Sequence, residues 1–169
     1  DTRGYGGRHP RGHDPLSDRI PRGMHGVSKE DRTLAEAIRL GRLSAADFGH
    51  REHVRMAYIC VAEAGPGDAF RTMRDDLLRF LAHHRVPPGK YHETLTRAWM
   101  VVVRHCMERT PDTGSSGAFI ERNPGLLDTD LLLTHYSKQR LFSDEARMTY
   151  LPPDRTPFPL NGDARDEPE

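Results

Sequence analysis

Two histidines three residues apart stand near the start of the stretch Phe48-Gly-His-Arg-Glu-His-Val-Arg-Met-Ala-Tyr58. On a helix, positions three and four apart share a face, so His50 falls with Val54 and His53 with Ala57, on or beside an apolar stripe. Buried imidazoles need partners for their ring nitrogens, and a pair at this spacing can hold one metal ion from a single helix. In Tyr91-His-Glu-Thr-Leu-Thr96, His92 stands three before Leu95 and seven before Trp99, again on an inward face. His135, four residues after Leu131 near the end of a short helical run, is the fourth inward candidate. The expected metal ligands are therefore His50, His53 and His92, with His135 next.

Neutral imidazoles suit Zn, Cu or Fe and leave most of the ion's charge uncompensated, which favours a bound hydroxide or an anionic small-molecule substrate. Glu93 is expected to support the ligands or pair with Arg97, and Tyr91 and Arg140 complete the expected catalytic set. Trp99, Tyr58 and Arg147 are the expected substrate contacts: the rings for an apolar or aromatic body, the guanidinium for a carboxylate or phosphate. This set implies a metal-dependent enzyme, an oxidoreductase ahead of a hydrolase. The competing expectation is a non-catalytic helical module in which the histidines form a structural or pH-responsive polar cluster.

Other chemistries lack their signatures. The chain has no Gly-rich phosphate loop, no Cys-x-x-Cys, no His-Glu-x-x-His, no Gly-x-Ser-x-Gly and none of the Glu-x-x-His pairs of di-iron bundles. Cys60 and Cys106 lie in apolar segments and read as inert core thiols of a reducing cytoplasm. Lys and Arg together number 25 and so do Asp and Glu, so no overall field points to nucleic acid or membrane as a partner. No apolar run reaches the roughly 18–20 residues of a membrane span.

The elements that must position these groups are helices. Ser28-Lys-Glu-Asp caps a first helix with Leu34, Ala37, Ile38 and Leu40 at helical spacing. Ser44 leads into a second over Ala45 to Ala64, stopped by Gly65-Pro66-Gly67, and a third carries Phe70, Met73, Leu77, Phe80 and Leu81 up to Pro87-Pro88-Gly89. A fourth runs from about Tyr91 to Glu108 with Leu95, Trp99, Val102, Val103 and Cys106 inward. Shorter helices are predicted over Ala118 to Arg122, Leu126 to His135 and Ser143 to Tyr150. No run alternates as a strand does, so the fold class is all-α: about four longer helices in a bundle with short C-terminal helices. Residues 1–27, dense in Gly, Arg and His, form a disordered arm, 28–150 one helical domain, and 151–169 a Pro-rich extended tail.

The ordered set Phe48-x-His50-x-x-His53, Tyr91-His-Glu-Thr-x-Thr96, His135-Tyr-Ser137, Ser143-x-x-Ala-Arg147 and Pro153-Asp154 resembles small bacterial all-helical proteins that carry the same series. The resemblance covers most of residues 44–158 and implies the domain boundaries without implying an activity.

Overall fold

A computed structural model describes residues 24–158, which form seven α-helices and four short 3-10 turns with no strand among the described residues. The arm expected over residues 1–27 lies outside the described residues up to position 23, as does the tail from position 159.

Helix α1, Lys29–Arg39, starts where the sequence places it. Ser28 Oγ accepts the Asp31 amide at 3.1 Å and Asp31 Oδ2 accepts the Ser28 amide at 3.2 Å, a reciprocal capping box. The helix predicted from Ala45 is divided in two. Ala45–Asp47 is a 3-10 turn, and α2 begins at His50 with Gly49 as its cap and ends at Ala64. Its run Met56–Ala62 is buried on every side, because α2 packs against α1, α3 (Pro66–His83), α4 (Glu93–Arg109) and α5 (Ser116–Arg122). The amphipathic stripe expected for this helix therefore widens to include Met56, Ile59 and Cys60, as suits a central helix.

Gly65, at φ +76°, closes α2 and opens α3, Pro66–His83, with Pro66 in the first turn. That left-handed backbone is one an L side chain rarely adopts, which is why a glycine holds the corner. Helix α4, Glu93–Arg109, crosses α2 and α3 and borders both apolar clusters. The larger cluster gathers α1, α2, α3, α4 and α5 (Ser116–Arg122); the smaller joins Ala98 of α4 to Leu132, Tyr136 and Leu141. Trp99 and Val102 touch both.

The C-terminal part departs most from expectation. In place of a helix over Leu126–His135 there are two 3-10 turns, Pro124–Leu127 and Leu131–Thr134. Pro124 and Gly125 disfavour a longer helix, and Asp128 Oδ1 accepts the Asp130 amide at 2.9 Å, a local bond that competes with helix. Ser137 and Ser143 cap two single-turn helices, α6 Lys138–Leu141 and α7 Asp144–Met148. Leu151–Phe158 then runs back along these elements: Leu151 N donates to Thr94 Oγ1 at 3.1 Å, and Asp154 accepts the Ser137 amide and hydroxyl at 2.7 and 2.6 Å.

A buried ionic network ties α1 to α2 and α5. Asp31, fully buried, accepts the Ser116 amide at 2.8 Å, the Ser116 hydroxyl and Arg55 Nη2 at 3.2 Å, while Arg55 Nε donates to Ser116 Oγ at 2.9 Å. Burial alone would raise the Asp31 carboxyl, but the bonds from Ser116, Ser28 and Arg55 outweigh it and hold the group below its ordinary value. Removing one partner of such a buried pair leaves the other uncompensated. Asp31→Ala is expected to cost about 3 kcal/mol in urea unfolding, and a loss under roughly 1 kcal/mol, the range of exposed pairs, would show that the network carries no such weight.

Candidate functional site

His50 and His53 occupy the first turn of α2. His50 Nε2 lies 2.8 Å from the Leu126 carbonyl, and its ring meets Trp99 edge-on with centroids 4.6 Å apart. His53 Nδ1 lies 2.7 Å from the Gly49 carbonyl, and its ring stacks on Phe48 at 4.0 Å. A carbonyl can only accept, so each bonded nitrogen carries the proton: His50 is the Nε2–H tautomer and His53 the Nδ1–H tautomer. The opposite nitrogen of each ring makes no hydrogen bond within the described residues.

His92 is differently placed from its expected position. Because α4 begins at Glu93, His92 is the residue before the helix and serves as its cap. Its Nδ1 accepts the Leu95 amide at 3.1 Å, which requires a lone pair there, so the proton sits on Nε2 and is donated to the Leu141 carbonyl at 3.0 Å. Both nitrogens are committed to backbone, and the ring is buried.

His135 follows a 3-10 turn and turns toward the irregular segment Leu151–Phe158. Its Nδ1 donates to the Thr156 carbonyl at 2.7 Å and its ring packs on Phe158 at 4.5 Å. The neighbouring Tyr136 takes the buried position instead, its hydroxyl donating to the Leu151 carbonyl at 2.8 Å. The four imidazoles thus bond to four separate backbone carbonyls. Among the described residues, no three His, Cys, Asp or Glu side chains are grouped so as to hold a metal ion.

The remaining expected residues are also distributed. Glu93 pairs with Arg74 of α3 at 3.6 Å, while Arg97 lies over the rings of Phe70 and Tyr150 at 5.5 and 4.6 Å. The Tyr91 hydroxyl is buried with no hydrogen bond of good geometry; burial and the nearby Glu93 carboxylate raise its pKa. Arg140 Nε donates to the Pro152 carbonyl at 2.7 Å, and Arg147 Nη1 reaches the Gly89 and Lys90 carbonyls, each at 3.3 Å. Tyr58 stands eight residues beyond His50, roughly 12 Å along the helix axis. It donates to the Gly26 carbonyl at 2.7 Å and packs on Phe119 at 5.0 Å, away from Trp99. Burial pushes its phenol up to about 12. Burial likewise pushes the Cys60 thiol up to about 12, the state of an inert core cysteine.

Two features were not anticipated from the sequence. One is the Asp31 network, whose only local signal is the Ser28-x-x-Asp31 capping pattern. The other is His25, expected to lie in the arm: it is buried edge-on against Tyr58 at 5.9 Å, with its Nδ1 buried and unbonded. A shallow groove of about 430 Å³ on one side of α1, bordered by Lys29, Leu34, Ala37, Leu43 and Arg55, includes none of the expected site residues. No helix of the described residues is long and apolar enough to cross a membrane.

What these elements define is an all-helical domain pinned by side-chain bonds to backbone carbonyls. No family model, curated protein or solved structure matches the chain.

Burial depresses the pKa of His53, with a smaller contribution from His50, and burial followed by the charge of Arg147 depresses that of His92. Below the ordinary histidine value of 6.5 the unfolded chain therefore binds protons that the folded chain refuses. The urea midpoint is expected to be level above pH 7.5 and to fall as the pH drops through and below 6.5. A midpoint that rises over the same interval would contradict the neutral, buried state of these rings.

Proposed function

We propose that this chain is a small non-catalytic helical module whose histidines are structural and hold its irregular segments on the bundle. One pattern carries the reading: the side chains best suited to chemistry are spent on backbone carbonyls. His50, His53, His92, His135, Arg140 and Arg147 reach the carbonyls of Leu126, Gly49, Leu141, Thr156, Pro152, Gly89 and Lys90. The bonds to Leu126 and Leu141 are part-buried and buried, so they remove a cost that burial would otherwise impose, while those to Gly49, Thr156, Pro152, Gly89 and Lys90 lie at the surface and fix position. The free thiols Cys60 and Cys106 suit a reducing cytoplasm.

A metal-dependent enzyme remains the second reading, and one observation favours it. Metal-binding histidines commonly donate their other N–H to a carbonyl, and His50 and His53 each do so while leaving one nitrogen unbonded. On that reading Zn, Cu or Fe would take its first ligands from this turn of α2.

Elemental analysis of untagged protein, before and after exposure to Zn, Fe and Cu, separates the two. The structural reading expects less than about a tenth of an equivalent, since a tight metal site would instead load close to one equivalent. Close to one equivalent, lost in His53→Ala, would overturn it in favour of the enzyme.

A further inference from the structure

We propose that acid opens the α6–α7 segment of this protein, with the His92 ring as the latch. This rests on the structural reading of the histidines and adds to it a regulated element and the signal that moves it.

The choice of His92 follows from counting ring nitrogens. Protonating His50, His53 or His135 adds a proton at a nitrogen that no backbone group is using, and the existing bond to Leu126, Gly49 or Thr156 survives. Protonating His92 can occur only at Nδ1, which already accepts the Leu95 amide. Two N–H groups then face each other, and a cation sits at the positive end of the α4 dipole. The ring must turn away, and because it is rigid, its Nε2 leaves the Leu141 carbonyl at the same time. One proton thus removes both the α4 cap and a tie to α6.

The surroundings oppose the cation. Helix α6 presents the Leu141 carbonyl and α4 the Leu95 amide, neither of which titrates, and the charged group whose field acts on the ring is Arg147 of α7. Arg147 is itself held to the Gly89 and Lys90 carbonyls just before His92, so it cannot swing off without loosening α7. The carboxylate of the adjacent Glu93 is paired with Arg74 of α3 at 3.6 Å.

The segment that is released is short and lightly anchored. Helices α6 and α7 have four and five residues, with Leu141 and Ala146 their buried side chains, while Phe142 and Met148 are already 60 % and 84 % exposed. Short elements with few buried side chains open at lower free energy than the core. Opening uncovers the apolar surface of Ala98, Leu132 and Tyr136 beneath Leu141.

Hydrogen exchange read by mass spectrometry on the full chain at pH 7.5 and 5.0, corrected for intrinsic rates, tests the latch. Peptides from residues 138–148 are expected to lose roughly tenfold in protection at pH 5.0, while α2 and α3 peptides keep theirs. In His92→Asn, a residue that caps helices well and does not titrate, protection of the same peptides is expected to be equal at the two pH values. Arg147→Gln, an exposed change that leaves the cap in place, is expected to move the opening midpoint to higher pH. No loss in the native chain, or an equal loss in His92→Asn, overturns the latch and leaves the structural reading standing. Metal bound to the same sample would instead overturn the structural reading while leaving the exchange result to decide the latch.

Discussion

The irregular C-terminal segment of this domain depends on one constraint: a buried backbone carbonyl without a partner costs more than a hydrogen bond returns. Between Arg122 and Phe158 the chain forms only 3-10 turns and two single-turn helices, which leave many carbonyls without intrahelical donors. Long polar side chains fill the deficit. His50 from α2 reaches Leu126, and His92 at the head of α4 reaches Leu141. Tyr136 and Arg140 reach on to Leu151 and Pro152. Together with the apolar cluster around Tyr136 and Leu141, these bonds seat the C-terminal segment on α4.

The energies divide in a definite way. Burying Leu132, Tyr136 and Leu141 contributes on the order of 1.5–3 kcal/mol for each side chain, whereas a cap or a neutral hydrogen bond contributes about 1 kcal/mol. The apolar cluster therefore holds the segment and the polar bonds fix where it sits. Asp31 plays the corresponding part at the other end of the molecule, fixing α1 and α5 on α2 through Ser116 and Arg55.

Much of the architecture was legible in the sequence because it is written in local chemistry. Ser28 as a cap and the breaks at Gly65-Pro66-Gly67 and Pro87-Pro88-Gly89 each act within a few residues; α1 starts at its cap, while α3 already begins at Pro66, inside the first break, and ends at His83, before the second. The candidate site was less legible, since its roles turn on single positions and distant partners. Starting α4 at Glu93 instead of Tyr91 converts His92 from a face residue into a cap. A 3-10 turn in place of helix before position 135 gives the buried place to Tyr136 and not to His135. Asp31 reads locally as an ordinary acid of a first turn; its burial comes from Ser116, 85 residues away. Tyr58 and Trp99, grouped by their chemistry, meet different parts of the molecule: Trp99 packs on His50 in the first turn of α2, while Tyr58, eight residues further on, donates to the Gly26 carbonyl.

The tautomers of the four rings state the central claim in its most measurable form, since each follows from a named backbone partner. Long-range proton–nitrogen NMR correlation of the histidine side chains at pH 7.5 reads them directly. The expected spectrum has His50 and His92 carrying a proton at Nε2 and His53 and His135 carrying one at Nδ1, with the His53 and His92 rings neutral. A His92 ring found cationic, or protonated at Nδ1, would contradict the claim, because the Leu95 amide and the Leu141 carbonyl could not then both be bonded to it.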